Sequence, residues 1–130
     1  MAGPMGWDEY GQKCRAAGNW AKQVFACFTT PLLPGPPPPD VLAAHKVYVA
    51  GLEETGALFL AGPLSDETGR LMSGAGLIVL VAPNLEAARA LAAADPMHVA
   101  GVRRFTLKAW RLNEGAPIPG LRLSRRGFDG

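Results

Sequence analysis

The chain has 130 residues, of which 48% are hydrophobic and 18% charged, so it can bury one core and lies outside the composition of disordered chains. Thirteen basic and eleven acidic residues give a formal net charge of +2, which is too small and too scattered to indicate a nucleic-acid partner. With two cysteines in no zinc-type spacing and no run of the roughly 20 apolar residues that a membrane helix needs, we expect a soluble cytoplasmic protein without metal or membrane partner.

The first strand and the first long helix are separated by a run of prolines. Residues 1–22 are rich in glycine and small polar residues, which is typical of a flexible arm or a short helix over residues 10–17. Residues 23–30 are rich in β-branched and aromatic side chains and predict a strand. Residues 31–39, here called the proline segment, lack most backbone donors and predict a stiff extended connection, more often a rigid loop than a partner-docking site.

An amphipathic helix is predicted after the prolines. Asp40 is placed to cap it, apolar residues recur every three or four positions as far as Leu52, and Gly56 ends it. His45 lies on the apolar stripe near the start of this helix. A single histidine on such a stripe is more often a core residue than a catalytic one, so the pattern by itself leaves both interpretations open.

The middle of the chain predicts two strands joined by a loop. Residues 57–61 are a short apolar strand that a turn at Gly62 and Pro63 closes, although an open backbone there could also approach a substrate. Residues 64–73 have the polar content of a loop. Residues 74–82 are apolar throughout and predict a central strand that is covered on both faces.

The last third of the chain predicts a helix and a final strand. Asn84 is placed to cap the helix, which Asp95 and Pro96 end. An acidic residue at a helix C-terminus is disfavoured by the helix dipole, so Asp95 needs a partner, and His45 is the partner we expect. Residues 102–112 alternate apolar and polar side chains and predict a strand.

The order strand, helix, strand, strand, helix, strand predicts an α+β protein of the ferredoxin-like kind, with both helices on one face of a four-stranded antiparallel sheet. The domain spans residues 23–112, and residues 113–130 form a basic tail without periodicity, which contains Arg122, Arg125 and Arg126. The helices leave the other sheet face uncovered. Because the third strand is too apolar to face water, we expect a second copy to pack sheet against sheet in a homodimer.

A set of short segments within residues 24–112 matches one family pattern. They are His45, Tyr48, Leu52 and Gly56; Leu58 with Ala61, Gly62 and Pro63; Gly76; Glu86, Ala87 and Ala88; Ala94, Asp95 and Pro96; Ala100 and Gly101; and Trp110. On these residues the chain resembles the YciI-like (YCII-related) family of the dimeric α+β barrel superfamily. The resemblance implies a dimeric barrel in which His45 and Asp95 line a cleft as the catalytic pair. It also implies cofactor-free chemistry on ring compounds, as in a dehydrochlorinase of chlorinated hydroxyhydroquinone or, among related barrels, muconolactone isomerase.

These observations favour a cofactor-independent lyase or isomerase that moves a proton on a small cyclic or aromatic substrate. His45 is the candidate general acid or base, and Asp95 is the residue that orients it. The candidate substrate-binding residues are Gly62, Pro63, Tyr48, Met97, His98, Arg70 and Trp110. Aromatic and methionine residues at these spacings are also typical of a core. Arg70 and Arg104 could bind a carboxylate or phenolate, although each is more typical of a solvated surface charge. The alternative is a non-catalytic module that binds a small metabolite or serves as a dimerising accessory subunit, which the proline segment and the basic tail favour.

Overall fold

The structure is a computed structural model in which residues 3–115, 121–122 and 127–128 are described. The chain divides into two compact units, a central unit of residues 25–109 and a terminal unit of residues 1–24 and 110–130. The elements in chain order are α1 (Trp7–Ala16), β1 (Lys22–Pro31), α2 (Pro39–Thr55), β2 (Leu58–Ser65), β3 (Met72–Leu80), α3 (Leu85–Ala93), α4 (Pro96–Val99), β4 (Arg103–Leu112), β5 (Leu121–Arg122) and β6 (Gly127–Phe128).

Strands β1 to β4 form a four-stranded sheet in the order β2-β3-β1-β4, and β5 pairs with β6 separately. Strand β3 runs antiparallel to both of its neighbours, β1 and β2. Setting α1 and the one-turn helix α4 aside, this is the predicted ferredoxin-like order of four strands and two helices. The α+β fold predicted from the sequence is therefore confirmed.

The core of the central unit lies between the sheet and the helices α2 and α3. Phe25 pairs with Leu80 and Cys27 with Ile78, so these four buried side chains share one sheet face. Their neighbours from the helices are Leu52, Ala88 and Ala92, and those from β4 are Phe105, Leu107 and Ala109. The alternation that the sequence predicts for the last strand is confirmed, since its apolar positions pack against the core.

The opposite sheet face is only partly open. Ala26 and Val79 are paired on this face and are 6% and 2% exposed, whereas Phe28 and Leu60 are 40% and 45% exposed. The expectation of an uncovered face is therefore wrong at Ala26 and Val79, whereas Phe28 on β1 and Leu60 on β2 are exposed as expected. An apolar surface therefore remains at Phe28 and Leu60.

Helix α2 begins two residues earlier than predicted. Pro38 is the N-cap and Pro39 the first helical residue, so Asp40 is not the cap. Proline is favoured at this position because the first turn has no use for its missing N–H, and the Asp40 carboxylate is stabilised there by the helix dipole. Gly56 ends the helix in the left-handed conformation, with φ of 83°, as the sequence predicts.

Gly62 and Pro63 do not form a turn. Strand β2 continues through them to Ser65, with Gly62 opposite Leu77 and Pro63 opposite Gly76. A proline can sit here because β2 is an edge strand, where a missing N–H leaves no ladder bond unmade. The register shifts between Pro63 and Ser65, so the strand pairing changes directly after the proline.

The terminal unit contains the short helix α1, so of the two alternatives for the start of the chain, a flexible arm or a short helix, the structure has the helix. Trp7 on α1 donates a hydrogen bond to Gln23, and the guanidinium of Arg111 lies 4.7 Å from the centre of the Trp7 ring. Asn113 donates to the sulfur of Cys14 at 3.4 Å. Most of the predicted tail lies outside the described residues.

Candidate functional site

A histidine and an aspartate that are 50 residues apart in the chain meet in the central unit. The Nδ1 atom of His45, on α2, lies 2.9 Å from each carboxylate oxygen of Asp95. The Asp95 side chain is 4% exposed and the His45 side chain 25% exposed. No described residue forms a hydrogen bond with Nε2 of His45, so that ring atom is free to meet a ligand.

Asp95 is held in place by the short helix that follows it. It is the N-cap of α4, and its Oδ1 accepts a hydrogen bond from the backbone N–H of Met97 at 2.9 Å. The expectation that Asp95 suffers from a helix C-terminus is therefore wrong. Because a carboxylate that caps a helix N-terminus satisfies an otherwise unpaired N–H, the local backbone stabilises the charge.

The charge state of Asp95 follows from this arrangement. Burial opposes ionisation, but the hydrogen bonds from His45 and from Met97 N–H, with the positive potential of the two histidines, hold the pKa of Asp95 below its ordinary 3.8. Asp95 therefore stays ionised at neutral pH. An ionised carboxylate keeps the proton of neutral His45 on Nδ1, which leaves Nε2 as the basic atom.

The His45 and Asp95 pair opens onto a cavity of about 290 Å³. Strands β2 and β3 contribute Ala61, Gly62, Pro63, Gly76, Leu77 and Ile78 to its lining. Gly76 matters for the space, because a Cβ added there would lie 3.3 Å from Thr29 Cγ2 and 3.6 Å from Gly62 O. A cavity of this size suits a ligand of about one ring, at the small end of ligand sites.

A chain of hydrogen bonds runs along one wall of the cavity through Thr29. His98 Nδ1 donates to the carbonyl of Ala92 at 2.6 Å, and its Nε2 lies 2.9 Å from the Thr29 hydroxyl. Arg103 Nε donates to the same hydroxyl oxygen at 2.9 Å. In the neutral tautomer His98 Nε2 therefore accepts a hydrogen bond from the Thr29 hydroxyl, and the hydroxyl oxygen accepts one from Arg103 Nε. His98 is not part of the cavity lining. It holds the side chain of Thr29 through this hydrogen bond, and Thr29 lines the cavity.

The other sequence-predicted binding residues divide between the cavity and elsewhere. Gly62, Pro63 and Met97 line it. Tyr48 instead donates its hydroxyl to Leu91 O at 2.8 Å, and burial with the nearby charge of Asp95 raises its pKa. Arg70 is exposed in the β2–β3 loop. Trp110 belongs to the terminal unit and is 44% exposed.

Thr29 and Arg103 line the cavity and were not selected from the sequence. One signal was present for Arg103: it shares strand parity with Phe105 and Leu107, which predicts the helix-covered face of the sheet. Its neighbour Arg104 falls on the opposite face and is exposed. The same signal marks Thr29, which shares strand parity with Phe25 and Cys27.

Metal binding and the reactivity of Cys27 also bear on the chemistry of the site. Among the described residues, no cluster of three or more histidine, cysteine, aspartate or glutamate side chains is arranged to hold a metal ion. Burial, with the nearby charge of Asp95, raises the pKa of the Cys27 thiol to about 11. Cys27 is thus a protonated core residue and a poor nucleophile.

The protein is thus a ferredoxin-like α+β protein with a histidine–aspartate pair on a small cavity. A family model described as the YCII-related domain matches residues 32–111, and the chain belongs to that family. The chain is also similar to "Uncharacterized protein YjpA" of Bacillus subtilis (strain 168), with 33% identity over 73 residues, or 56% of this chain and 79% of that protein. Within the described part of the chain, no helix combines the length and the apolar character needed to cross a bilayer.

Proposed function

We propose that the protein is a cofactor-independent lyase or isomerase that moves a proton on a small cyclic or aromatic substrate. The observation that carries the proposal is the contact between His45 Nδ1 and the buried, ionised carboxylate of Asp95 at 2.9 Å, with Nε2 left free. This is the arrangement of a general base that a carboxylate orients.

The chemistry requires one proton-transfer group and a held substrate. Nε2 of His45 removes a proton from a ring carbon, and the electron pair of the broken C–H bond moves into the ring system. In an elimination, this electron pair then expels a leaving group from the neighbouring carbon. In an isomerisation, it takes the proton back at another ring carbon. Asp95 stabilises the imidazolium that forms between these steps, and it stays ionised throughout.

The test is a thermal-shift screen of phenols, hydroxyquinols, lactones and small keto acids, followed by product analysis of every hit. General acid–base catalysis contributes typically about 10²- to 10⁴-fold, so His45→Ala should lower kcat by about that factor. Lys46→Ala is the matched control, since Lys46 is the exposed neighbour of His45 on the same helix. Unchanged turnover in His45→Ala would refute the proposal.

The second candidate function is a non-catalytic module that binds a small metabolite. The observation that favours it is a larger cavity of about 610 Å³ between the proline segment and β4, which His45 does not line. This candidate predicts saturable binding that is equal in the wild type and His45→Ala, with no product from any hit.

A homodimer is part of the proposal. Phe28 and Leu60 form an exposed apolar surface on the sheet face opposite α2 and α3, where dimeric barrels of the resembled superfamily join. We expect Leu60→Lys to convert a dimer to a monomer in light scattering coupled to gel filtration. Val47→Lys, at a position 75% exposed on α2, should leave the dimer intact. A wild-type monomer at micromolar concentration would contradict this part of the proposal.

A cytoplasmic location completes the proposal. Both cysteines, Cys14 and Cys27, are free and buried, as is usual in a reducing compartment. Cell fractionation of the untagged protein tests it, and recovery in a secreted or membrane fraction would contradict it.

A further inference from the structure

We propose that the substrate is an anion whose charged group binds Arg103, and that its apolar substituent enters a second cavity, which the proline segment lines. The inference rests on the proposed function, because it assigns the substrate class of the same site. It adds one binding residue, Arg103, and one specificity-determining segment, residues 31–39.

The guanidinium of Arg103 is only partly engaged by the protein. Its Nε donates to Thr29 Oγ1 at 2.9 Å, and its Nη2 donates to Thr29 O at 2.9 Å and to Gly74 O at 2.6 Å. These bonds lock the plane of the group against β1 and β3. The two N–H groups of Nη1 have no acceptor among the described residues, so they remain for a ligand.

Arg103 is also a half-buried cation without an ionic partner among the described residues. The acid whose charge acts on it is Asp95, and that carboxylate is already bound by His45 and Met97. Burial lowers the pKa of Arg103, which reflects the cost of a half-buried charge, although the group stays protonated. A ligand carboxylate, phenolate or enolate at Nη1 would supply the missing negative charge through charge-assisted hydrogen bonds.

Arg103 lies where two cavities meet. His45 lines the cavity of about 290 Å³, and the proline segment and Val102 line the cavity of about 610 Å³. Arg103 and Leu42 line both. A substrate anchored at Arg103 therefore has a reacting part on the His45 side and a second part on the proline side.

The second cavity suits an apolar group. Apart from Arg103, its lining consists of proline, leucine, valine and glycine residues. Prolines give a wall with little conformational freedom, so binding against it costs little ordering entropy. The proline segment, which the proton chemistry does not need, is thereby explained as a specificity wall.

The experiment uses three probes and needs no known substrate. Phenylacetate carries the anion and one ring, phenylacetamide is its neutral counterpart, and 2-phenylhexanoate adds a butyl chain to the carbon that bears the carboxylate. Dissociation constants are measured by NMR titration on the full chain. In the wild type we expect phenylacetate to bind about tenfold or more tightly than phenylacetamide, and 2-phenylhexanoate about tenfold or more tightly than phenylacetate.

Variants of neighbouring residues then assign each effect to its residue. Arg103→Gln should remove the preference for the anion, Arg103→Lys should retain part of it, and Arg104→Gln, on the opposite face, should retain all of it. Thermal unfolding of each variant shows whether it is folded. If Arg103→Gln does not fold, the residues whose chemical shifts change in the NMR titration of the wild type still show whether phenylacetate binds at Arg103, and changes confined to other parts of the chain would overturn the proposal. Equal binding of these two probes, or no saturable binding of either carboxylate, would overturn the proposal.

The proline wall is tested separately. Leu33 lines the second cavity, and its exposed neighbour Leu32 is not part of that lining. Leu33→Ser should reduce the gain from the butyl chain, and Leu32→Ser should not. An undiminished gain in Leu33→Ser overturns the assignment of the proline segment.

The outcome is distinguishable from that of the proposed function. Binding of phenylacetate through Arg103 with no His45-dependent turnover of any compound leaves the anion site standing and refutes the enzyme. His45-dependent turnover of a neutral substrate that Arg103→Gln leaves unaffected refutes the anion site and leaves the enzyme standing.

Discussion

Two substitutions of Asp95 should separate its two roles in stability. Asparagine keeps an oxygen that can accept from Met97 N–H, so the cap on α4 is retained, but the negative charge that His45 contacts is lost. Alanine removes both the cap and the charge. The difference between the two variants is therefore the contribution of the cap.

The magnitudes follow from the contacts. A hydrogen bond to a charged group contributes about 1.5–3 kcal/mol. His45 is 25% exposed, so water can replace part of the interaction, and we expect Asp95→Asn to lower the free energy of unfolding by about 1.5 kcal/mol, the lower end of that range. Loss of an N-cap costs typically about 1 kcal/mol, so Asp95→Ala should cost about 2.5 kcal/mol in all.

Urea unfolding at pH 7, followed by circular dichroism, gives both values from the midpoint at constant slope. If the two variants are equally unstable, the capping bond of Asp95 to Met97 contributes nothing. A loss in Asp95→Asn below about 0.5 kcal/mol would mean that the pair with His45 is no stronger than an ordinary surface ion pair.

The stability difference between the wild type and Asp95→Asn should depend on pH, and the lowered pKa of Asp95 sets the sign of that dependence. Because the fold lowers this pKa, the stabilisation is complete above the unfolded-state value of about 3.9 and is lost as the pH falls through the lower folded-state value. The free energy of unfolding of the wild type should thus exceed that of Asp95→Asn by less and less as the pH falls below about 4. An advantage that stays constant from pH 7 to pH 3 would refute the assigned direction of the shift.

Three other predictions concern the cavity and the core. Gly76→Ala places a Cβ 3.3 Å from Thr29 Cγ2 and should weaken binding of any cavity ligand in a titration, whereas Gly51→Ala, which meets open space outside the cavity lining, should not; equal effects would contradict the place of Gly76 in that lining. Phe25→Ala should lower the free energy of unfolding by about 3–5 kcal/mol in the same urea assay, and a loss below about 1 kcal/mol would contradict its place in the core. Cys27, with a pKa of about 11, should react with a thiol reagent at pH 8 only after unfolding, and rapid reaction of the native protein would contradict its burial.

Local features of the fold were predictable because each depends on residues a few positions apart. Asn84 caps α3 through its bond to Ala87 N–H at 2.8 Å, as its place before an apolar repeat predicts. Gly56 ends α2 for a similarly local reason. The alternation in β4 assigned its core face, since successive side chains of a strand point to opposite sides.

The sequence prediction is wrong at Gly62 and Pro63 because their surroundings come from a distant part of the chain, and at Asp95 because the helix after it is very short. Gly62 and Pro63 indicate a turn locally, but β2 is an edge strand that tolerates proline, and only the sheet order decides which strand lies at the edge. The sequence predicts Asp95 at the end of one helix, whereas the one-turn helix after it makes Asp95 an N-cap. Four residues are too few to show a helical period in the sequence.

The sequence by itself determined the order of elements, the core faces and the family, because periodicity and short motifs are local and carry these properties. It also singled out His45 and Asp95, through the resemblance. Only the tertiary structure brought Thr29 and Arg103 to the same cavity and placed His98 behind Thr29. The physical reason is that a binding site is assembled from strand and helix ends that lie far apart in the chain, and their meeting depends on how the sheet and helices pack, which no local pattern encodes.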